Sequence, residues 1–258
     1  MRDDALARVH PAIATPLAAF DEAGVRWCLL RGAGELHRVA GDVDLLVHRR
    51  DLGLVRSRLA SMGGFRELRA WGRRPHHFFV AHVACEEAWL KLDIVSELAF
   101  GERQELRTGA AEAVLARRIR DGFLARPAPA DAFWALLVHV LLDRGEVVPR
   151  RGHELVELAA GARMASSPLG TLVEAACPPG WDAQRVLACA AAARFDELLA
   201  LAPALRARWP GAPRAATEAR AHLRGALRRA DRARRRLAVL GAQQSGLITS
   251  YNRSRSAG

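Results

Sequence analysis

The sequence predicts an α/β (α+β) protein, a small mixed-sheet domain followed by an α-helical domain. Three observations predict it. Strand-like and helix-like patterns interleave over residues 1 to about 100, as in a small α/β unit. From Arg103 onward the chain turns to Ala, Leu and Arg at helical spacing, with few β-branched residues. Charge is partitioned as well. Residues 206–258 hold 13 arginines against two acids, Glu218 and Asp231, which is the whole formal charge of +11, while 26 bases and 26 acids balance over residues 1–205. A uniformly basic nucleic-acid binder carries its charge across the folded body, so nucleic acid is a disfavoured partner.

The elements follow in order. Pro11 to Ala23 reads as a helix closed by Gly24, and Val25 to Leu30 as a short buried strand. A glycine-bearing turn, Arg31-Gly32-Ala33-Gly34, precedes a second strand, Val43 to Val47. Leu52, Val55, Leu59 and Met62 give helical spacing over 51–62, ended by Gly63-Gly64. Phe65–Trp71, Phe78–Ala84 and Trp89–Val95 read as three further strands, the last two joined by an acidic turn at Glu86-Glu87. Helices are then expected over 103–120, 131–144, 151–165, 168–176, 182–208 with a break near Pro203, and 214–236. The Pro-rich connector 126–131 places Asp131 as an N-cap. Trp71, Trp89, Trp134 and Phe133 fit core positions.

Cys28, Cys85, Cys177 and Cys189 lack any C-x-x-C spacing and sit in apolar runs, the pattern of reduced, buried thiols in a cytoplasmic protein. No signal peptide and no membrane span are expected.

The chemical signal lies in Leu29-Leu30-Arg31-Gly32-Ala33-Gly34, in Gly41-Asp42-Val43-Asp44-Leu45-Leu46-Val47, and in Leu90-Lys91-Leu92-Asp93-Ile94-Val95. Strand side chains alternate faces, so Asp42 and Asp44 share one face and Val43, Leu45 and Val47 the other. Lys91 and Asp93 likewise share a face. Carboxylates gathered on one face repel unless a cation lies among them.

These motifs resemble the nucleotidyltransferase superfamily related to DNA polymerase beta, whose signature is a glycine turn, about ten residues, Asp-apolar-Asp and a later Asp. Gly32 precedes Asp42 by ten positions. Together with Leu-Leu-Val-His-Val-Leu-Leu-Asp-Arg-Gly (136–145), they look like a bacterial group in which such a domain and a helical segment often precede a thymidylate-kinase-like P-loop domain. The resemblance implies a nucleotidyltransferase-like domain over 1–101, a helical domain over 102–213, and a basic helix with a degenerate P-loop-like tail over 214–258. It implies that Asp42, Asp44 and Asp93 are catalytic and hold two Mg²⁺ ions. Arg31, Gly32, Ala33, Gly34 and Lys91 would bind the nucleotide, the partners being an NTP and a hydroxyl-bearing acceptor. Ala33 stands where the family usually has Gly or Ser, so a hydroxyl contact to the terminal phosphate is missing.

Two alternatives accompany this reading. Residues 237–246 form an apolar run feeding Gly241-x-x-x-x-Gly246, but Leu247 and Ile248 replace the Lys and Ser/Thr that a phosphate loop needs. One alternative is therefore a truncated relative of a thymidylate-kinase-like fusion. The composition shift over 243–258, with the only Tyr (Tyr251), the only Asn (Asn252) and four serines, is expected to mark that divergence, by truncation or frameshift. The other is a catalytically inactive interaction module that keeps the fold.

Of the lesser features, Arg220, Arg224, Arg228, Arg232 and Arg236 form a like-charged helical stripe, read as a solvated face. No aromatic residue interleaves it, which removes the usual support for single-strand binding. His139 and Asp143 stand at i and i+4 and are expected to share a hydrogen bond in a packed, structural role. His76-His77 reads as a strand-start pair.

Overall fold

Proline at the first helical position, where the missing N–H costs nothing, starts four of the helices in the computed structural model. These begin at Pro11, Pro129, Pro149 and Pro168. The model describes residues 9–31, 36–39, 42–68, 76–101, 104–162 and 166–210. The glycine turn at 32–34, Trp71, and the basic helix and tail of 214–258 lie outside the described residues.

The first half is a mixed α/β layer. Helix α1 (Pro11–Glu22) leads through Gly24, at φ +70°, into strand β1 (Trp27–Leu29). Strand β2 (Asp42–Val47) runs into a 3₁₀ turn (Arg49–Asp51) and helix α2 (Leu52–Ser61). Strands β3 (Arg66–Leu68), β4 (His76–Val83) and β5 (Ala88–Val95) complete a five-stranded sheet of order β1-β2-β5-β4-β3. Only the central pair is parallel. Its register places Asp42 beside Lys91, Asp44 beside Asp93 and Leu45 beside Ile94. Val43, Leu45, Leu92 and Ile94 are buried on the opposite face, in one apolar cluster with Phe20 of α1 and Val55 of α2.

An ion pair ties the start of β1 to the turn that follows β2. Arg26 donates from Nε and Nη2 to the two carboxylate oxygens of Asp51, both at 2.9 Å, and from its backbone N–H at 3.0 Å. The guanidinium holds the Asp51 carboxyl below the usual carboxylate range, so this clip persists above the unfolded pKa and is lost as pH falls through the lowered one.

The helix expected over 103–120 does not form as one element. Two short hairpins, β6 (Ala99–Phe100) with β7 (Leu106–Arg107) and β8 (Ile119–Asp121) with β9 (Leu124–Arg126), flank a short helix α3 (Ala111–Ala116). The cause is a series of left-handed positions, Gly101, Gln104, Gly109 and Gly122, each of which turns the chain out of helical geometry.

The rest is helical, as the Ala-Leu texture predicts. Helix α4 (Pro129–His139) continues as a π-helical turn (Val140–Arg144), closed where Gly145 (φ +73°) donates its N–H to Val140 at 2.8 Å. Helices α5 (Pro149–Ala162), α6 (Pro168–Ala176), α7 (Ala183–Ala191), α8 (Phe195–Leu199) and α9 (Ala202–Arg208) follow. The expected long helix 182–208 is broken also at Ala193, at φ +55°, and Pro203 lies in the first turn of α9 rather than kinking a longer helix. Asp131 is not an N-cap. Helix α4 already starts at Pro129, so Asp131 falls inside the first turn and is fully buried. Trp134 and Phe133 are buried, Trp89 is half-buried against His82, and Cys85, unlike the other three cysteines, is exposed. Apolar residues of both halves form one cluster. Among the described residues, no helix is long and apolar enough to cross a membrane.

Candidate functional site

Partners in a parallel ladder point to the same side of the sheet, and neighbouring strands lie about 4.8 Å apart. Asp44 and Asp93 are such partners, and Asp42 precedes Asp44 by two residues on the same face. Three carboxylates from two strands thus occupy adjoining positions. Their side-chain exposures are 31% for Asp42, 18% for Asp44 and 12% for Asp93, so the group deepens from the rim at Asp42 to the wall at Asp93. Like charges directly opposite in a sheet repel, and here each carboxylate has a basic neighbour.

Lys91 Nζ lies 2.7 Å from Asp42 Oδ2 and 4.7 Å from the centre of the Phe78 ring, which supports the ammonium by a cation–π contact. Arg31, just beyond β1, grips both oxygens of Asp44, with Nε 3.1 Å from Oδ2 and Nη2 3.0 Å from Oδ1. Such a fork is the geometry in which guanidinium binds carboxylate most specifically. His76 Nδ1 lies 2.8 Å from Asp93 Oδ1. The structure therefore gathers Asp42, Asp44, Asp93, Arg31 and Lys91. Gly32, Ala33 and Gly34 fall in the turn outside the described residues.

His76 and Phe78 belong to this face too; the sequence reads His76-His77 as a strand-start pair facing solvent or substrate without separating the two, and it gives Phe78 no role. Phe78 is the antiparallel partner of Asp93, and His76 lies two residues earlier on the same side. The alternation of β4 was readable, but its register against β5 was not, so the side on which His76 emerges had no signal. The other half of the pair, His77, turns to Arg56 and Glu67.

The expected bond between His139 and Asp143 is present, 2.6 Å from Nδ1 to Oδ2, and the other Asp143 oxygen accepts the Gly101 N–H at 2.5 Å. Burial, reinforced by the charges of Arg31 and Arg144 against the opposing pull of Asp143, holds the imidazole below its ordinary value.

An all-oxygen set of three carboxylates is the donor chemistry of a hard divalent cation such as Mg²⁺, so the residue types fit that ion. Their present arrangement is a set of ion pairs. Among the described residues, no group of three or more His, Cys, Asp or Glu side chains converges in a metal-ligating cluster. Comparison of the chain with protein-family models, curated proteins and solved structures finds no match.

Proposed function

We propose that the acidic face of β2 and β5 is a metal–nucleotide site and that the protein transfers a nucleotidyl group from an NTP to an acceptor hydroxyl, with release of pyrophosphate. One observation carries this reading. The register Asp42–Lys91 and Asp44–Asp93 puts three carboxylates and a cation on one half-open sheet face, with a second cation, Arg31, forked onto Asp44. The resemblance of the same segments to polymerase-beta-like nucleotidyltransferases agrees with it.

Asp42, Asp44 and Asp93 would hold Mg²⁺, which when bound supplies charge neutralisation of the triphosphate and a lowered pKa for the acceptor hydroxyl. Asp93, the most enclosed of the three, would help take the acceptor proton. Lys91 and Arg31 supply positive charge to the phosphates, the guanidinium in bidentate fashion. Backbone N–H groups of the 32–34 turn are the remaining candidates for phosphate contact, because glycine lets the main chain approach closely.

The pairing of every carboxylate with a basic side chain favours one second reading, a chemically silent member of the same fold acting as an interaction module. Incubation with α- and γ-labelled NTPs, Mg²⁺ and a metabolite extract separates them. Transfer of the α label, abolished in Asp42→Ala or Asp44→Ala, supports the enzyme. Transfer of the γ label points instead to a kinase. Silence with every acceptor, together with no metal-dependent NTP binding, removes both enzymatic readings.

A further inference from the structure

We propose that His48 is a proton-released latch: with Nδ1 unprotonated it clasps Arg26 and caps the turn that starts α2, and a proton taken up there opens the clasp. The latch is independent of the chemistry proposed for the acidic face, since Asp42 and Asp44 lie toward the other end of β2. His48 follows β2 directly and is 7% exposed. Its Nδ1 lies 2.7 Å from Arg26 Nη2 and 3.3 Å from the Arg50 backbone nitrogen. Both neighbours are donors only, because neither a guanidinium nor an amide N–H has a lone pair to offer. Nδ1 is therefore the acceptor, and the proton of the neutral ring sits on Nε2. There Glu112 Oε1 lies at 3.2 Å to accept it. Three contacts thus fix one tautomer.

Among the described residues, the charged groups about the ring are Arg26, Arg50, Asp51 and Glu112, and they come from three separate places in the chain. Arg26 precedes β1 and forks onto Asp51. Arg50 and Asp51 form the 3₁₀ turn that leads into α2, with His48 as its cap, and Glu112 stands in the first turn of α3. The His48 N–H also donates to the Arg26 carbonyl at 2.9 Å, so the same two residues close the end of the β1–β2 ladder. A proton on Nδ1 turns that acceptor into a donor and sets an imidazolium against a guanidinium. Both contacts at Nδ1 are then lost, while the bond to Glu112 becomes charge-assisted. The latch exchanges partners: its hold on α3 strengthens as the cap of the 3₁₀ turn opens. Asp51 does not trigger this change. Arg26 holds its carboxyl below the usual carboxylate range, so it stays ionised over the window of about pH 5 to 8 in which histidine titrates.

Nitrogen-15 NMR of the full chain tests the latch in two steps. At about pH 8, His48 Nδ1 should show the shift of an unprotonated ring nitrogen and Nε2 that of a protonated one. On titration to about pH 5, the Arg50 amide and the Arg26 Nε signal should move in step with His48 protonation. Hydrogen exchange of the Arg50 amide should rise at least about fivefold beyond its intrinsic pH dependence. His48→Asn keeps a side-chain oxygen that accepts the Arg50 N–H, as Asn does at helix caps, and has no titrating proton. It should keep that amide protected across the range, and the wild-type measurements decide alone where it does not fold. An Nδ1–H tautomer at the start overturns the proposal, as does an imidazole that stays neutral down to about pH 5. Protonation of His48 with the Arg50 amide and Arg26 signals unmoved also overturns it, and so does an unchanged Arg50 response in His48→Asn.

Discussion

Two of the chain's pairings of aspartate with arginine serve opposite ends. In the helical half, Asp131 on α4 is 0% exposed and receives Arg117 Nε at 3.2 Å, Arg117 Nη2, and the Ser167 hydroxyl at 2.7 Å. Arg117 also donates to the Ser166 carbonyl at 3.0 Å, and Ser167 caps α6 by accepting the Leu169 N–H. Both oxygens of the acid are satisfied and sealed, and the cluster fastens α4, α6 and the end of α3 together. On the sheet, Asp42, Asp44 and Asp93 stand at adjoining positions that run from an exposed Asp42 to an enclosed Asp93, each held by a single basic side chain. The sealed cluster gives up binding capacity for a fixed geometry. The partly open one gathers like charges on one face, the arrangement on which the proposed site rests.

That contrast can be broken at several points. The largest expected effect is on activity: Asp44→Ala should lower nucleotidyl transfer by at least about 100-fold while costing about 1 to 2 kcal/mol in chemical denaturation, because it leaves the half-buried Arg31 guanidinium without its partner. Arg117→Met should do the reverse. It leaves the Asp131 carboxylate buried without its cation, a loss of about 3 kcal/mol, with metal and nucleotide binding preserved in the folded fraction. An equal stability loss in both variants would erase the distinction.

A smaller effect sharpens the sealed side. Gly170 of α6 lies so close to α4 that an added Cβ would meet the Trp134 indole nitrogen at 2.7 Å. Gly170→Ala should therefore cost about 1 to 3 kcal/mol through overpacking, measured by urea unfolding, and should leave Mn²⁺ binding unchanged.

The smallest effect comes from His139. Burial holds its imidazole below the ordinary value, with Arg31 and Arg144 opposing its protonation and Asp143 favouring it. Its folded pKa lies below the unfolded value of about 6.5, so the unfolded chain binds the extra proton first and stability declines as pH falls below about 6.5. His77, also lowered by burial and by Arg56, acts in the same direction. His139→Gln should flatten the pH dependence of the unfolding midpoint between pH 6.5 and 5 by about 1 kcal/mol or less; a wild-type stability that rises on acidification across that window would contradict the assignment.

What the sequence disclosed follows from how local each signal is. The alternation of Asp42-Val43-Asp44 and Lys91-Leu92-Asp93 assigns each side chain to a face without tertiary information, and β2 and β5 lie where that alternation puts them. Leu169 and Val173 likewise mark α6, found at 168–176. The failures are non-local or conformational. The apolar spacing of Val114 and Leu115 suits a longer helix, and the left-handed turns at Gln104 and Gly109 that prevent it leave little trace in hydropathy. Asp131 has the composition of a cap, but its partner Ser167 is 36 residues away. His76 reaches Asp93 through a strand register that no local pattern encodes.

The central claim, that the open acidic face transfers a nucleotidyl group, is tested most directly by transfer of the α label from NTP, with the wild type and Asp44→Ala compared at matched folded fractions. The account predicts that the wild type labels an acceptor and that Asp44→Ala, still folded, does not. Equal labelling by both proteins, or no α-label transfer and no metal-dependent NTP binding by the wild type, would contradict it.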